Sequence, residues 1–199
     1  DTASNQRSYV SQVSAAIGSR RVANVWCDRG SNLGVTIPSM FIAAEVAGLR
    51  SALLPQQGLT RTEVTSITSA ANMYLRYTAA DLDAIAAAGT FIVTQDADTG
   101  AVYIRHQLTT KTDSGSLYYE DSIGTNLDDI SFGFKDILES YNGRRNANAE
   151  TVSEIRTRLS LYLDKKTLTS PAADIGPALI SYDNLTVAID DIFKDRIGI

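Results

Sequence analysis

One histidine, one cysteine and one tryptophan in 199 residues leave little material for several kinds of chemistry. A lone Cys27 cannot form an internal disulfide, which suits a reducing compartment. It follows Val25-Trp26 in an apolar run, so it reads as a small buried residue rather than a reactive thiol. One Cys and one His cannot make a structural zinc site. A nucleophile activated by histidine has only His106 available. That residue alternates with Val102 and Ile104 on one face of a predicted strand, where a satisfied, partly buried histidine is expected. A Cys27–His106 pair has no supporting motif, and the serine of Gly30-Ser-Asn-Leu-Gly34 is not placed as in a nucleophile elbow.

Other absences extend the list. Neither glycine-rich phosphate-binding pattern occurs. Asp96-x-Asp98-x-Gly100 has part of a calcium-loop pattern, but its glycine comes one position early and Gln107 stands where a bidentate glutamate is required; a hairpin turn accounts for the same residues. Asp128-Asp129 and Asp190-Asp191 are adjacent in sequence, and neighbours at i and i+1 of a helix do not face each other, so solvated or salt-bridging carboxylates are expected. No cofactor, metal or catalytic residue is assigned. No apolar run approaches the roughly 20 residues of a membrane helix; the longest, Met40 to Leu54, is interrupted by Glu45 and Arg50. No basic tract is present either. Arg20-Arg21 and Arg144-Arg145 are doublets, and net charge is −5. Residues 1–89 hold 7 basic and 6 acidic groups and the remainder 11 and 17. Such a chain is a poor nucleic-acid partner and no membrane insertion is expected.

What is present reads as an ordinary globular composition, 44% hydrophobic and 21% charged. Asp1 stands first with no signal-peptide pattern after it, so the chain is expected to be a processed product or a piece of a longer protein. Residues 4–19 predict an amphipathic helix capped by Ser4, with Tyr9, Val13, Ala16 and Ile17 on its inner face. Arg21 to Cys27 predicts a buried strand, and Asp28 to Gly34 a turn-rich loop. A helix over Met40 to Leu54, opened by Pro38-Ser39 and stopped by Pro55, presents Ala43, Val46, Ala47, Leu49 and Leu53. Its Ala44, Ala47 and Gly48 are small enough for close approach to a sheet. Residues 56–77 leave helix and strand-loop readings open.

Thr78-Ala-Ala-Asp81 is a capping box with Asp for Glu; it opens a helix to Ala88, with Leu82 and Ile85 buried and Gly89 as its stop. Phe91 to Thr94 and Ala101 to Leu108 predict a hairpin around Asp96 to Gly100. After a polar loop over 109–124, Thr125-Asn-Leu-Asp128 predicts the start of a helix. Its stripe is Leu127, Ile130, Phe134, Ile137, Leu138 and Tyr141, with Asp128 and Asp129 in a first turn that the helix dipole favours. A helix over 149–165 carries Val152, Ile155, Leu159 and Tyr162, with Lys165-Lys166 at its end. Ala178 to Tyr182 and Leu185 to Ile189 predict short strands around Asp183-Asn184. The pattern is mixed α/β, a layered sheet flanked by helices.

Four segments in order carry a resemblance. They are Arg21-Val-Ala-Asn-Val-Trp26 with the helix ending Ala47-Gly-Leu-Arg50 and Leu54-Pro-Gln-Gln-Gly-Leu-Thr60; Thr78-Ala-Ala-Asp-Leu-Asp83 leading to Ala88-Gly-Thr-Phe-Ile-Val93; Gly100-Ala-Val-Tyr-Ile-Arg105 running into Thr109-Thr110; and the helix 126–141 followed by Gly143-Arg-Arg-Asn146 and another helix. Together they resemble the C-terminal half of contractile bacteriophage tail sheath proteins. The resemblance implies a structural subunit, not an enzyme, stacked as helical rings of its own copies around a tail tube protein and bounded by baseplate and tail terminator proteins. Such a sheath belongs to the virion, is assembled in the host bacterial cytoplasm, and contracts to drive the tube through the envelope. It implies a sheath core over 1–177 and, over 178–199, a terminal strand segment or the start of an arm that adds a strand to a neighbour's sheet. The family continues past the equivalent of Ile199 and has an N-terminal half absent here. Subunit contacts are expected at Leu185, Val187, Ile189, Asp190 and Asp191, with salt-sensitive contacts at Asp128, Asp136, Arg144 and Arg145. A small α/β enzyme or ligand-binding domain, or another tail or baseplate component, are the alternatives.

Overall fold

A computed structural model of the chain describes residues 2–70, 75–113, 119–168, 176–190 and 197–198. Two compact units divide it, Asp1–Thr125 and Asn126–Ile199. The expectation of an arm over 178–199 concerns pairing in an assembly and is taken up below as a proposal.

The first unit is built on a three-stranded mixed sheet of order β1-β4-β5. Strand β1 (Asn24–Trp26) runs parallel to β4 (Thr90–Gln95), with Val25 opposite Phe91. Strand β5 (Val102–His106) returns antiparallel to β4, with a register shift between Ile92 and Val93. The β4–β5 turn is the predicted hairpin. Asp96 accepts hydrogen bonds from the Asp98 and Thr99 N–H groups at 2.9 and 3.0 Å, an Asx turn that explains the aspartates without a metal. Residues Thr90 to Thr94 of the central strand are all buried, and Val102 and Ile104 face the core from β5. Three helices pack on this sheet: α1 (Ala3–Ile17), α2 (Ser39–Ser51) and α3 (Ala79–Ala87). In α3 the capping box is complete, with both Thr78 to Asp81 hydrogen bonds made, and Leu82 and Ile85 are buried. Gly89 then takes φ +80°, and a Cβ there would meet the Thr109 carbonyl at 2.7 Å, so the helix stop is also a packing point.

Several expectations are corrected. The cap of α1 is Thr2, whose side chain accepts from the Asn5 N–H, not Ser4. The inner face of α1 is Ala3, Val10 and Ser14; Tyr9 is 69% exposed and Ile17 is also exposed. The reason is polar. Ser14 is buried because its hydroxyl shares a 2.7 Å hydrogen bond with Thr90 and accepts one from Asn24 at 2.9 Å, so the apolar count picked the wrong stripe. In α2 the buried residues are Ile42 and Val46. Ala44, Ala47 and Gly48 face outward, and a Cβ at Gly48 would meet nothing; they are not the close-approach surface expected. Segment 55–70 takes the strand-loop alternative. Its partners are distant: Val64 N–H donates to the Val102 carbonyl and Arg61 N–H to that of Ile104. Leu59, Val64, Ile67 and Ala70 complete the core.

A second hairpin lies inside the expected loop over 28–34: β2 (Ser31–Asn32) and β3 (Val35–Thr36). Its two-residue turn is Leu33-Gly34, with φ +48° and +83°, the pair of positive values that a type I′ turn demands.

Helix α4 (Asp121–Glu139) starts four residues before the predicted cap. Thr125 lies within it and donates its hydroxyl to the Asp121 carbonyl at 2.8 Å. Asp121, not Asp128 or Asp129, occupies the first turn. In the second unit, the remainder of α4 packs on α5 (Ala149–Thr167), whose cap is Asn148 and whose last turn carries Lys165 and Lys166 as expected. Tyr141, Ile155, Leu159 and Val187 form the buried cluster, joined by Phe134, Ile137 and Leu138. The segment Ala178 to Tyr182 is not a strand. Strand β6 is only Ala188–Ile189, and it pairs antiparallel with β7 (Ile197–Gly198) instead of with residues across Asp183-Asn184.

Candidate functional site

The sequence candidates fall into two groups in the second unit. In the terminal segment, Val187 is 8% exposed within the α4–α5 cluster, and Leu185 packs against the same cluster. Their side chains belong to this chain's own core. Ile189 and Asp190 are half-buried, and Asp191 lies outside the described residues. The Ile189 backbone pairs with Ile197 in the two-residue ladder.

The charged candidates lie on α4 and the loop after it. Asp136, Arg144 and Arg145 are exposed, while Asp128 is half-buried. Arg145 reaches Glu154 of α5 at 3.9 Å, and Glu154 also holds Arg158 at 3.1 Å and accepts a hydrogen bond from the Tyr141 hydroxyl at 2.9 Å. Arg144 is held through its backbone, its N–H donating to the Tyr141 carbonyl. Exposed pairs of this kind contribute little to stability and are screened by salt. The stronger pair here is Lys166 with Asp129, which closes α5 onto α4. Burial works against the Lys166 charge, but the hydrogen-bonded Asp129 carboxylate outweighs it and holds the pKa above its ordinary value.

A groove of about 760 Å³ opens between the C-terminal part of α4, the loop after it, the start of α5 and β7. Phe134, Leu138, Ile155 and Ile197 give it apolar walls, and Lys135, Glu139 and Arg145 line it too. Lys135 and Glu139 neutralise one another at 3.5 Å. The groove holds no histidine and no cysteine. Among the described residues no group of three or more His, Cys, Asp or Glu converges as a metal site, and no helix is long and apolar enough to cross a membrane. Cys27 is 4% exposed, and burial, with the Asp28 charge beside it, pushes its thiol up to about 12. That is the opposite of an activated nucleophile.

Sequence reasoning missed the 33–41 region. Leu33, Val35, Met40 and Phe41 are 89, 66, 71 and 60% exposed. The apolar residues at the β2–β3 turn were a faint signal, since turns of this type favour Asn or Gly.

No protein-family model and no curated protein matches the sequence. Solved structures do. The fold is similar to that of the sheath tail protein from Desulfitobacterium hafniense, with TM-score 0.63 and 21% identity over 75% of this chain and 35% of that one. It is similar to the sheath tail protein from Listeria innocua, with TM-score 0.61 and 19% identity over 96% of this chain and 48% of that one. It is also similar to a chain of the anti-feeding prophage baseplate, solved with sixfold symmetry, with TM-score 0.58 and 16% identity over 79% of this chain and 43% of that one. The chain spans less than half the length of each, and at these identities what is shared is the fold, a mixed α/β architecture of the sheath tail protein kind.

Proposed function

We propose that this chain is part of a structural subunit of a contractile tail sheath, which polymerises with its own copies as helical rings around a tail tube and contracts to drive the tube through a host envelope. The observation that supports this reading best is the fold shared with two sheath tail proteins, one of them over 96% of this chain. Agreement between that fold and the ordered sequence segments adds to it. The subunit is non-enzymatic, and its partners are its own copies, the tube protein, and baseplate and terminator proteins. Its place is the virion tail, assembled in the bacterial cytoplasm.

In this reading the terminal segment over 178–199 ties copies together. Two strands of two residues are marginal alone, and backbone strand addition along such a ladder gives directional strength while leaving connections flexible. Leu185 and Val187 then anchor the root of the segment on its own α4–α5 cluster, and Ile189, Asp190 and Asp191 make the outward contacts. Asp128, Asp136, Arg144 and Arg145 contribute contacts that weaken with salt.

The test is negative-stain electron microscopy of the chain in its full natural length at high concentration. Striated hollow tubes are the expected result. Monodisperse monomers under every salt condition tried would overturn the reading.

A further inference from the structure

The exposed apolar residues of this chain are mostly scattered singly, which is normal. Four of them are not: Leu33, Val35, Met40 and Phe41 fall within nine consecutive residues at the β2–β3 tip and the start of α2. Leu33 is the odd member. It is the most exposed of the four, yet it holds φ +48°, a region where a branched side chain is strained by roughly 1–2 kcal/mol. Nothing it gains within the chain explains this. The hairpin beneath is rigid: Ser31 and Ser69 exchange backbone hydrogen bonds at 2.8 and 3.1 Å, and the Leu33 N–H donates to the Thr68 hydroxyl at 3.0 Å. The tip is therefore a pre-ordered apolar knob, the kind of element that binds without further ordering cost.

We propose that this knob docks into the groove between α4, α5 and β7 of a second copy of the chain. Each copy carries both halves, a knob in its first unit and an apolar-walled groove in its second. A contact between unlike surfaces is heterologous, and repeated copy to copy it generates rings or open helical arrays, not closed dimers. The groove's volume of about 760 Å³ has room for Leu33 together with Val35. The area also favours an array. The four residues expose on the order of 500 Å², within the range of interaction patches on monomers but short of the ~800 Å² per partner of a standard stable interface. One such contact is weak alone and becomes effective when every copy makes two. The inference rests on the sheath reading for the identity of the partner.

Two measurements on the chain in its full natural length decide it. In the first, Leu33→Cys and Ser131→Cys variants are mixed and treated with a short bismaleimide. Ser131 is exposed and lines the groove, and the native Cys27 is buried. Crosslinks between the two variants, absent when either is treated alone, are expected. Crosslinks within Leu33→Cys alone, or none in the mixture, would overturn the proposal. In the second, Leu33→Asn is compared with wild type. Asparagine suits the first position of a type I′ turn, so the melting temperature is expected to hold or rise while the concentration needed for self-association rises at least about tenfold. Unchanged association would overturn the proposal. Tubes without crosslinks would sink this contact and leave the sheath reading standing; crosslinked pairs without tubes would do the reverse.

Discussion

The phenol of Tyr162 on α5 occupies the space where a side chain on Gly133 of α4 would stand. The ring is held there, edge-on to Phe134 at 5.9 Å between centroids, with its hydroxyl donating to the Asp129 carbonyl at 3.3 Å. Alanine in a helix is worth about 1 kcal/mol over glycine, but overpacking costs about 1–3 kcal/mol. Gly133→Ala is therefore expected to lower stability despite the better helix former. In a Tyr162→Leu background the same change is expected to be neutral or stabilising. A double-mutant cycle in urea measures the difference, and additive effects would count against the contact.

Glu45 of α2 stabilises the irregular 55–70 segment. Its carboxylate accepts from the Thr65 and Ser66 N–H groups at 2.8 and 3.2 Å and from both hydroxyls. Hydrogen bonds to a charged acceptor contribute about 1.5–3 kcal/mol. Glu45→Ala is expected to lose about 1–2 kcal/mol, with Glu45→Gln retaining part of it, read from urea midpoints at constant slope.

Two turns make the fold sensitive to acid. The Thr78 hydroxyl and N–H hold Asp81 below the ordinary carboxylate value of 3.8, with Arg7 adding to the effect. The Thr99 and Asp98 N–H groups do the same for Asp96. Both folded-state values are depressed, so this stabilisation is complete above the unfolded value of 3.8 and is lost as pH falls through the folded one. Wild type is expected to lose melting temperature steeply below about pH 4. Asp81→Asn with Asp96→Asn is expected to be less stable at pH 7 and to lose less on acidification. Parallel pH profiles would contradict the assignment.

Cys27 is expected to resist aromatic disulfide reagents at pH 8 until the chain unfolds, because its thiol is buried and its pKa is pushed up to about 12. Labelling in proportion to the unfolded fraction in urea is the expected result. Rapid labelling in buffer would show that the site opens locally.

If Arg144 and Arg145 make subunit contacts, reversing both to Glu is expected to weaken self-association at low salt, with the difference shrinking as salt is raised above about 0.5 M. Sedimentation at two ionic strengths measures this, and unchanged association at low salt would remove these residues from the interface.

The parts of the fold that were legible in the sequence are those whose reasons are local. The capping box at Thr78 to Asp81, the Asx turn at Asp96 and the Asn148 start of α5 each close hydrogen bonds within a few residues. The stripes of α4 and α5 were legible because both bury an apolar face. Segment 55–70 was not, since its bonds go to Val102, Ile104 and Gln95. The buried Gln107 also depends on partners far away, accepting from the Leu59 N–H at 2.6 Å and donating to the Ser122 hydroxyl at 2.9 Å. The early start of α4 was hidden because no capping signature precedes Asp121.

By itself, then, the sequence determined the mixed α/β pattern, the β4–β5 hairpin, the capped helices and the scarcity of catalytic groups, because composition, periodicity and short-range hydrogen bonds suffice for these. Only the tertiary structure decided which face of α1 is buried, that Leu185 and Val187 pack on their own chain, and that Leu33 stands exposed on a rigid turn. Those outcomes depend on where residues dozens of positions away come to rest: Thr90 beneath Ser14, the α4–α5 cluster beneath Val187, and Ser69 beneath Ser31.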